Sequence, residues 1–271
     1  MAPLGLIAGA GRLPVAVAEA CRERGGDVFV VRLKGVAGEG FETFPGEDIG
    51  LMELGRCVKA LNRAGCEEVC LAGKVEKPDF AALKPDLKAL KYLPGVMAAA
   101  REGDDALLRA VLAIFEKEGF RIESVQDAAP ELTLDLGPLG AVTPGPGEQA
   151  DIAAAAEAAW KLGLTDAGQA AVARGGQVVS REGEEGTDAM LRGLARSGGR
   201  VGVLAKIPKP IQDLRIDLPT IGVETVERAA AAGLAGIVGE QGRLLVVDKA
   251  AVRAAADRLG LFVVGLEPRT P

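Results

Sequence analysis

The stretch from Leu4 to Leu33 constrains the fold more than any other. Leu4-Gly-Leu-Ile-Ala8 is a short apolar run that stops at Gly9-Ala-Gly11-Arg12-Leu-Pro14. Helical periodicity follows to Arg24, Gly25-Gly26 ends it, and Asp27-Val-Phe-Val-Val-Arg-Leu33 is a second strand-like run. A strand, glycine turn, helix and strand in that order open an α/β sheet, with the turn aimed at a helix N-terminus whose backbone N–H groups favour an anion. Pro14 occupies the place of the third glycine of a dinucleotide fingerprint, so the turn reads either as a phosphate site or as a tight structural turn.

Residues 49–64 carry amphipathic helical periodicity and stop at Gly65. Glu67-Glu-Val-Cys-Leu-Ala72 is then a buried strand running into Gly73-Lys74. Strand C-termini line the ligand crevice of an open α/β sheet, which makes Lys74 a candidate contact, with a solvated loop lysine as the alternative. Asp104 and Asp105 start a helix over 104–118, where acids act as caps. Residues 121–125 form the next strand, with Asp127 at its crevice-facing end.

Gly137-Pro-Leu-Gly-Ala-Val-Thr-Pro-Gly-Pro-Gly147 interrupts any regular element and reads as a junction. The expected organisation is two α/β domains. Residues 1–136 form a Rossmann-like nucleotide-binding domain, 137–147 a linker, and 148–271 a mixed α/β domain. Within the second, residues 149–162 are an Ala-rich helix, and Gly175-Gly176 joins two strands as a primed-turn hairpin. Thr187 can cap a helix over 188–196. Strands are expected over 202–206, 236–239, 243–247 and 261–264, and helices over 224–232 and 249–259.

Chemistry-bearing side chains are densest between Glu182 and Gly222. Lys206, Lys209 and Arg215 offer charge to an anion, while Glu182, Asp188 and Asp217 offer oxygen ligands to a hard cation. Pro208 and Pro210 hold Lys209 in an extended segment. Asp188 has an alternative reading as an acid that stabilises the first turn of its helix.

Composition narrows the chemistry. The 271 residues include no histidine, which excludes His-dependent triads and His-bearing zinc sites within this chain. Proton transfer must use carboxylates, Lys, Tyr, a thiol or metal-bound water. The net charge of −6 argues against a nucleic-acid partner, which needs a basic face. Cys21, Cys57, Cys66 and Cys70 form no Cys-x-x-Cys pair and read as buried reduced thiols. No run is long enough to span a membrane, and the start lacks a signal peptide's basic flank, so a cytoplasmic location is expected.

Glu182-Gly-Glu-Glu-Gly-Thr-Asp-Ala-Met-Leu-Arg192 and Lys206-Ile-Pro-Lys-Pro-Ile-Gln-Asp-Leu-Arg-Ile-Asp-Leu-Pro-Thr-Ile-Gly222 resemble the LpxI-type UDP-2,3-diacylglucosamine pyrophosphatases. The likeness extends to Ile7-Ala-Gly-Ala-Gly-Arg-Leu-Pro14, Gly103-Asp-Asp-Ala-Leu-Leu-Arg109, Asp166-Ala-Gly-Gln169 and Ala230-Ala-Ala-Gly-Leu-Ala-Gly236. It implies a hydrolase of lipid A biosynthesis that cleaves UDP-2,3-diacylglucosamine to UMP and 2,3-diacylglucosamine 1-phosphate, its substrate held between the domains. Mg²⁺, or another divalent cation such as Mn²⁺, is the implied metal, and Asp217, Asp188 and Glu182, the acids read above as oxygen donors, are its candidate ligands. Asp217 and Lys206 are the implied catalytic pair. The implied substrate contacts are Gly11, Arg12, Leu13, Gly73, Lys74, Asp127, Gln169, Thr187, Lys209 and Thr220. The lipid substrate further implies peripheral contact with the inner face of the inner membrane. Oligomeric state is left open.

Two other readings compete. The Gly9–Pro14 turn alone would suit a nicotinamide-dependent oxidoreductase or nucleotide-sugar enzyme, but leaves the C-terminal cluster unused. A lipid–nucleotide carrier without catalysis would use an apolar cleft and release no UMP.

Overall fold

The structure is a computed structural model that describes residues 2–76, 84–194, 198–210, 212–215 and 217–269. The chain divides into two compact units, 1–129 and 130–271. This division lies upstream of the expected junction at 137–147. The reason is pairing: Gly137–Pro138 (β6) is an edge strand of the second unit rather than free linker, antiparallel to Phe262–Leu266 (β13).

In the first unit the strands are Leu4–Ala8 (β1), Val28–Leu33 (β2), Gly46–Ile49 (β3), Glu68–Ala72 (β4) and Arg121–Ile122 (β5). Their order is β3-β2-β1-β4-β5, and every pairing is parallel. This is the strand order of a doubly wound nucleotide-binding sheet, with its switch point between β1 and β4. The apolar runs of β1 and β2 are buried on both faces, as parallel strands require.

Helices Leu13–Glu23 (α1), Leu54–Ala64 (α2), Leu87–Glu102 (α3), Asp104–Lys117 (α4) and Val125–Ala128 (α5) complete the unit. Ile7, Val31, Leu33, Ile49, Val58, Leu61, Val69 and Phe115 share one core cluster. Two expectations shift here. The helix expected from Ile49 begins at Leu54, because residues 46–49 pair with Val30 to Leu33. The strand expected over 121–125 ends at Ile122, since Ser124 caps α5 by accepting from the Asp127 N–H at 3.1 Å.

The second unit has strands Ala170–Arg174 (β7), Gln177–Arg181 (β8), Val203–Lys206 (β9), Thr220–Ile221 (β10), Gly236–Glu240 (β11) and Leu245–Val246 (β12) besides β6 and β13. Its main sheet runs β6-β13-β11-β9-β7-β8 and is mixed, with β10 and β12 forming a separate parallel pair. Side chains alternate strictly across the sheet. Val172, Leu204, Ile237 and Val263 enter one core cluster, while Ala171, Val203, Ala205, Val238 and Phe262 enter the other. Helix Gln149–Leu164 (α6) covers the second face. Helices Gly186–Gly193 (α7), Val223–Ala231 (α8) and Lys249–Leu259 (α9) cover the first.

Gly175 and Gly176 have φ of +60° and +74°, the pair of positive angles that a type I′ hairpin needs. The helix expected over 188–196 starts earlier, at Gly186. Its last two expected residues lie outside the described residues.

Candidate active site

Lys206 is the last residue of β9, and strand alternation turns its side chain toward the same face as Leu204. It is buried, and its ammonium donates to the Thr220 carbonyl at 3.0 Å. Burial pushes this amine below the usual lysine range, and the carboxylates of Glu182, Asp188 and Asp217 push it back. Those three acids are therefore close enough to act on one buried cation. The cluster carries more negative than positive charge.

The sheet explains the convergence. β7 is antiparallel to both β8 and β9, so the start of β7 and the ends of β8 and β9 share one edge. Gln169 precedes β7, Glu182 follows β8, and Lys206 ends β9. Backbone bonds lock the edge: Glu182 N–H donates to Ala170 O at 2.9 Å, and Ile207 N–H donates to Gln169 O at 2.9 Å.

Glu182 is committed on both oxygens. Oε2 accepts from the Gln169 N–H at 2.7 Å, and Oε1 accepts from the Thr187 hydroxyl at 2.6 Å. Thr187 thus lies inside α7 and braces Glu182, where a helix cap had been expected; Glu185 holds the cap position. Asp188 is ion-paired with Arg228 on α8. Among the described residues, the buried side-chain oxygen of Gln169 has no hydrogen-bond partner.

Lys209 is held rather than extended into solvent. Its ammonium donates to Asp166 Oδ1 at 2.7 Å, and its N–H donates to the Gln212 side-chain oxygen at 3.1 Å. Asp166 sits at φ +56°, a left-handed position that Asp tolerates. Gly163 on α6 packs so closely that a Cβ there would lie 2.9 Å from Lys209 Cα. Buried Gln212 donates its side-chain amide to the Asp217 carbonyl, and the Asp217 N–H donates to Asp213 O at 3.3 Å. These bonds fix the backbone that carries Asp217.

Three acids acting on one lysine do not by themselves make a metal cage. Among the described residues no three His, Cys, Asp or Glu side chains form a group able to hold a cation. Glu182 and Asp188 already have protein partners, whereas Mg²⁺ commonly takes only one or two carboxylates together with phosphate oxygens.

In the first unit, the glycine turn and the Gly73-Lys74 turn meet at the switch point. Ala10 and Lys74 form a two-way backbone bridge, with N–H to O distances of 2.8 and 3.0 Å. A Cβ on Gly9 would lie 2.8 Å from the Lys74 carbonyl oxygen, and one on Gly73 would lie 2.6 Å from Pro14 Cγ. These two glycines serve loop-to-loop contact. Gly11, at φ +90° with open space where a Cβ would go, is the glycine that leaves the turn accessible. Arg12 precedes α1 beside Leu13, and its guanidinium lies 3.8 Å from Glu19. The Lys74 ammonium is exposed, 3.7 Å from Glu76. Asp127 faces Ser124, whose hydroxyl donates to it, so its side chain belongs to the start of α5.

Sequence reading missed Asp166, Gln212 and Arg228. Asp166 had a local signal in the Asp-Ala-Gly turn. Arg228 had none, because its pairing with Asp188 joins two helices.

A parallel sheet with an open glycine turn at its switch point, and a second unit whose buried lysine feels three carboxylates, define a two-domain α/β protein whose charged groups include no histidine. Residues 3–132 match the LpxI N-terminal domain, and residues 135–264 match the LpxI C-terminal domain. The chain is 54% identical over 277 aligned residues to the UDP-2,3-diacylglucosamine pyrophosphatase LpxI of Caulobacter vibrioides, covering 99% of this chain and 99% of that protein. It belongs to the LpxI family.

Proposed function

We propose that this protein is a pyrophosphohydrolase of lipid A biosynthesis that cleaves UDP-2,3-diacylglucosamine to UMP and 2,3-diacylglucosamine 1-phosphate. The observation that carries the reading is the buried Lys206 ammonium among Glu182, Asp188 and Asp217, in a chain whose full-length relative bears that activity in its name. Nucleotide recognition falls to the first unit, through the Gly11–Leu13 turn and Lys74.

Lys206 is the group we assign to charge. A phosphoryl group gains negative charge on its oxygens as the bridging bond breaks, and an ammonium held in low dielectric stabilises that charge without having to reorganise. The Thr220 carbonyl accepts from the amine, and Glu182, Asp188 and Asp217 oppose the lowering of its pKa by burial. Lys209, fixed by Asp166, adds a second cation to the same segment. Asp217 accepts a proton from the attacking water as its oxygen bonds to the β-phosphorus. The bridging P–O bond breaks with its electron pair, and UMP leaves.

Thr187 and Gln169 act through Glu182, whose two hydrogen bonds hold the edge of the sheet. We propose Mg²⁺ or Mn²⁺ as the divalent cofactor; the described residues offer it no group of three carboxylates, so phosphate oxygens of the substrate would complete its shell. When bound it would polarise phosphate oxygens. The protein works at the cytoplasmic face of the membrane that supplies its diacylated substrate.

Assay of UMP release from UDP-2,3-diacylglucosamine, with Mg²⁺ and with chelator, tests the reading. UMP release that needs the cation is expected. Binding of the substrate with no UMP under any divalent metal would instead make the protein a carrier.

A further inference from the structure

We propose that the exposed face of α3 is a docking surface for an anionic phospholipid bilayer, an inference that rests on the lipid-linked substrate just proposed. Leu87, Leu90, Pro94 and Met97 follow one another at spacings of three, four and three. Those spacings place them within an arc of about 80° on the helix. All four are exposed, Leu87 at 89%, Leu90 at 49% and Met97 at 36%. An aligned apolar stripe of this kind on a helix marks an interaction surface, unlike a scatter of single exposed leucines.

The helix is anchored by its other side. Ala89 and Ala100 are buried. The Asp86 carboxylate accepts from Ala89 N–H at 2.8 Å and Gly55 N–H at 2.6 Å, tying the starts of α3 and α2 together. The Tyr92 hydroxyl donates to Glu118 at 2.9 Å, and Lys88 pairs with the same carboxylate. The stripe is therefore presented on a fixed element.

Charge identifies the occupant. Between residues 84 and 102 the basic side chains are Lys84, Lys88, Lys91 and Arg101, against Asp86 and Glu102, in a chain whose net charge is −6. Asp86 spends its carboxylate on backbone N–H groups, whereas Lys84, Lys91 and Arg101 are exposed. Apolar side chains bordered by lysine and arginine suit a helix lying in the headgroup plane of an acidic bilayer. A second copy fits less well, because a two-fold contact through this face would oppose like charges. The helix lies on the surface rather than through it, since no helix among the described residues is long and apolar enough to cross a membrane.

Sedimentation of the full-length protein with phosphatidylcholine vesicles, with and without phosphatidylglycerol, tests this. The protein should pellet with the phosphatidylglycerol vesicles, less so as salt rises. L87S/L90S/M97S should lower partitioning on the order of tenfold, with turnover of detergent-dispersed substrate unchanged. K84Q/K91Q should remove the preference for phosphatidylglycerol. Equal pelleting of the triple variant, no pelleting of the wild type, or a wild-type dimer that the triple variant converts to monomer would each overturn the proposal. If vesicle binding through α3 persists while no UMP is ever released, the docking surface stands and the substrate reading falls.

Discussion

The Lys206 ammonium donates to the Thr220 carbonyl at 3.0 Å, tying the end of β9 to the short strand β10. The bond satisfies one donor of the buried amine, whose pKa is lowered by burial against the opposing pull of Glu182, Asp188 and Asp217. Lys206→Met keeps the volume and removes the charge. Turnover should fall on the order of a hundredfold or more, and the melting temperature should fall as well, because removing one partner leaves the carboxylates and the Thr220 carbonyl uncompensated. Full turnover with a large loss of melting temperature would make Lys206 a purely structural residue.

Glu182 holds Thr187 and the Gln169 backbone, so its role should show in stability. Thr187→Val removes one buried hydrogen bond and should cost about 1–2 kcal/mol by urea unfolding. Glu182→Gln should leave the Mg²⁺ concentration for half-maximal turnover unchanged, because both carboxylate oxygens already have protein partners. A large rise in that concentration would make Glu182 a metal ligand after all.

Two glycines of the first unit should respond differently to the same substitution. Gly73 has φ +91°, and its Cβ would meet Pro14 Cγ at 2.6 Å and Ala10 O at 2.7 Å. Gly11 has φ +90° with open space around it. Gly11→Ala should cost about 1–2 kcal/mol for backbone strain alone. Gly73→Ala should cost clearly more, since strain and overpacking add. Equal unfolding midpoints for the two variants would refute this account of the bridged loops.

The contrast shows what the sequence carried. The glycine turn, the β1–α1–β2 opening and the Gly175-Gly176 hairpin were legible, because turn chemistry and apolar runs are local signals. The density of Lys, Asp and Glu from 182 to 222 also pointed to the site. β3 was not legible: Ile49 continues the amphipathic pattern of α2, and only pairing with β2 makes residues 46–49 a strand. Nor was the commitment of Asp188 to Arg228, or of Glu182 to Thr187 and Gln169. Both depend on which elements the sheet brings together.

Burial also fixes a dependence on alkaline pH. It pushes the Cys57 thiol up to about 12, helped by nearby Asp86 and Cys66, and the Cys66 thiol up to about 11. The unfolded chain loses these protons near the ordinary value of 9.0, before the folded chain does. Stability from this source is therefore complete below pH 9 and falls as pH rises toward 12. For Cys57 alone the slope is about 1.4 kcal/mol per pH unit. Urea unfolding at pH 8, 9 and 10 should show the loss beginning only above about pH 9, and Cys57→Ser should reduce the slope. An unchanged slope in that variant would remove Cys57 from the explanation.

The proposed attack at the β-phosphorus, with UMP as leaving group, would tie the Lys206–Asp217 cluster to the sugar end of the pyrophosphate. Hydrolysis of UDP-2,3-diacylglucosamine in heavy-oxygen water, followed by mass spectrometry of both products, reads which phosphorus takes the new oxygen. The label should enter 2,3-diacylglucosamine 1-phosphate and be absent from UMP. Label in UMP would place the attack on the α-phosphorus and contradict the roles assigned to Lys206 and Asp217.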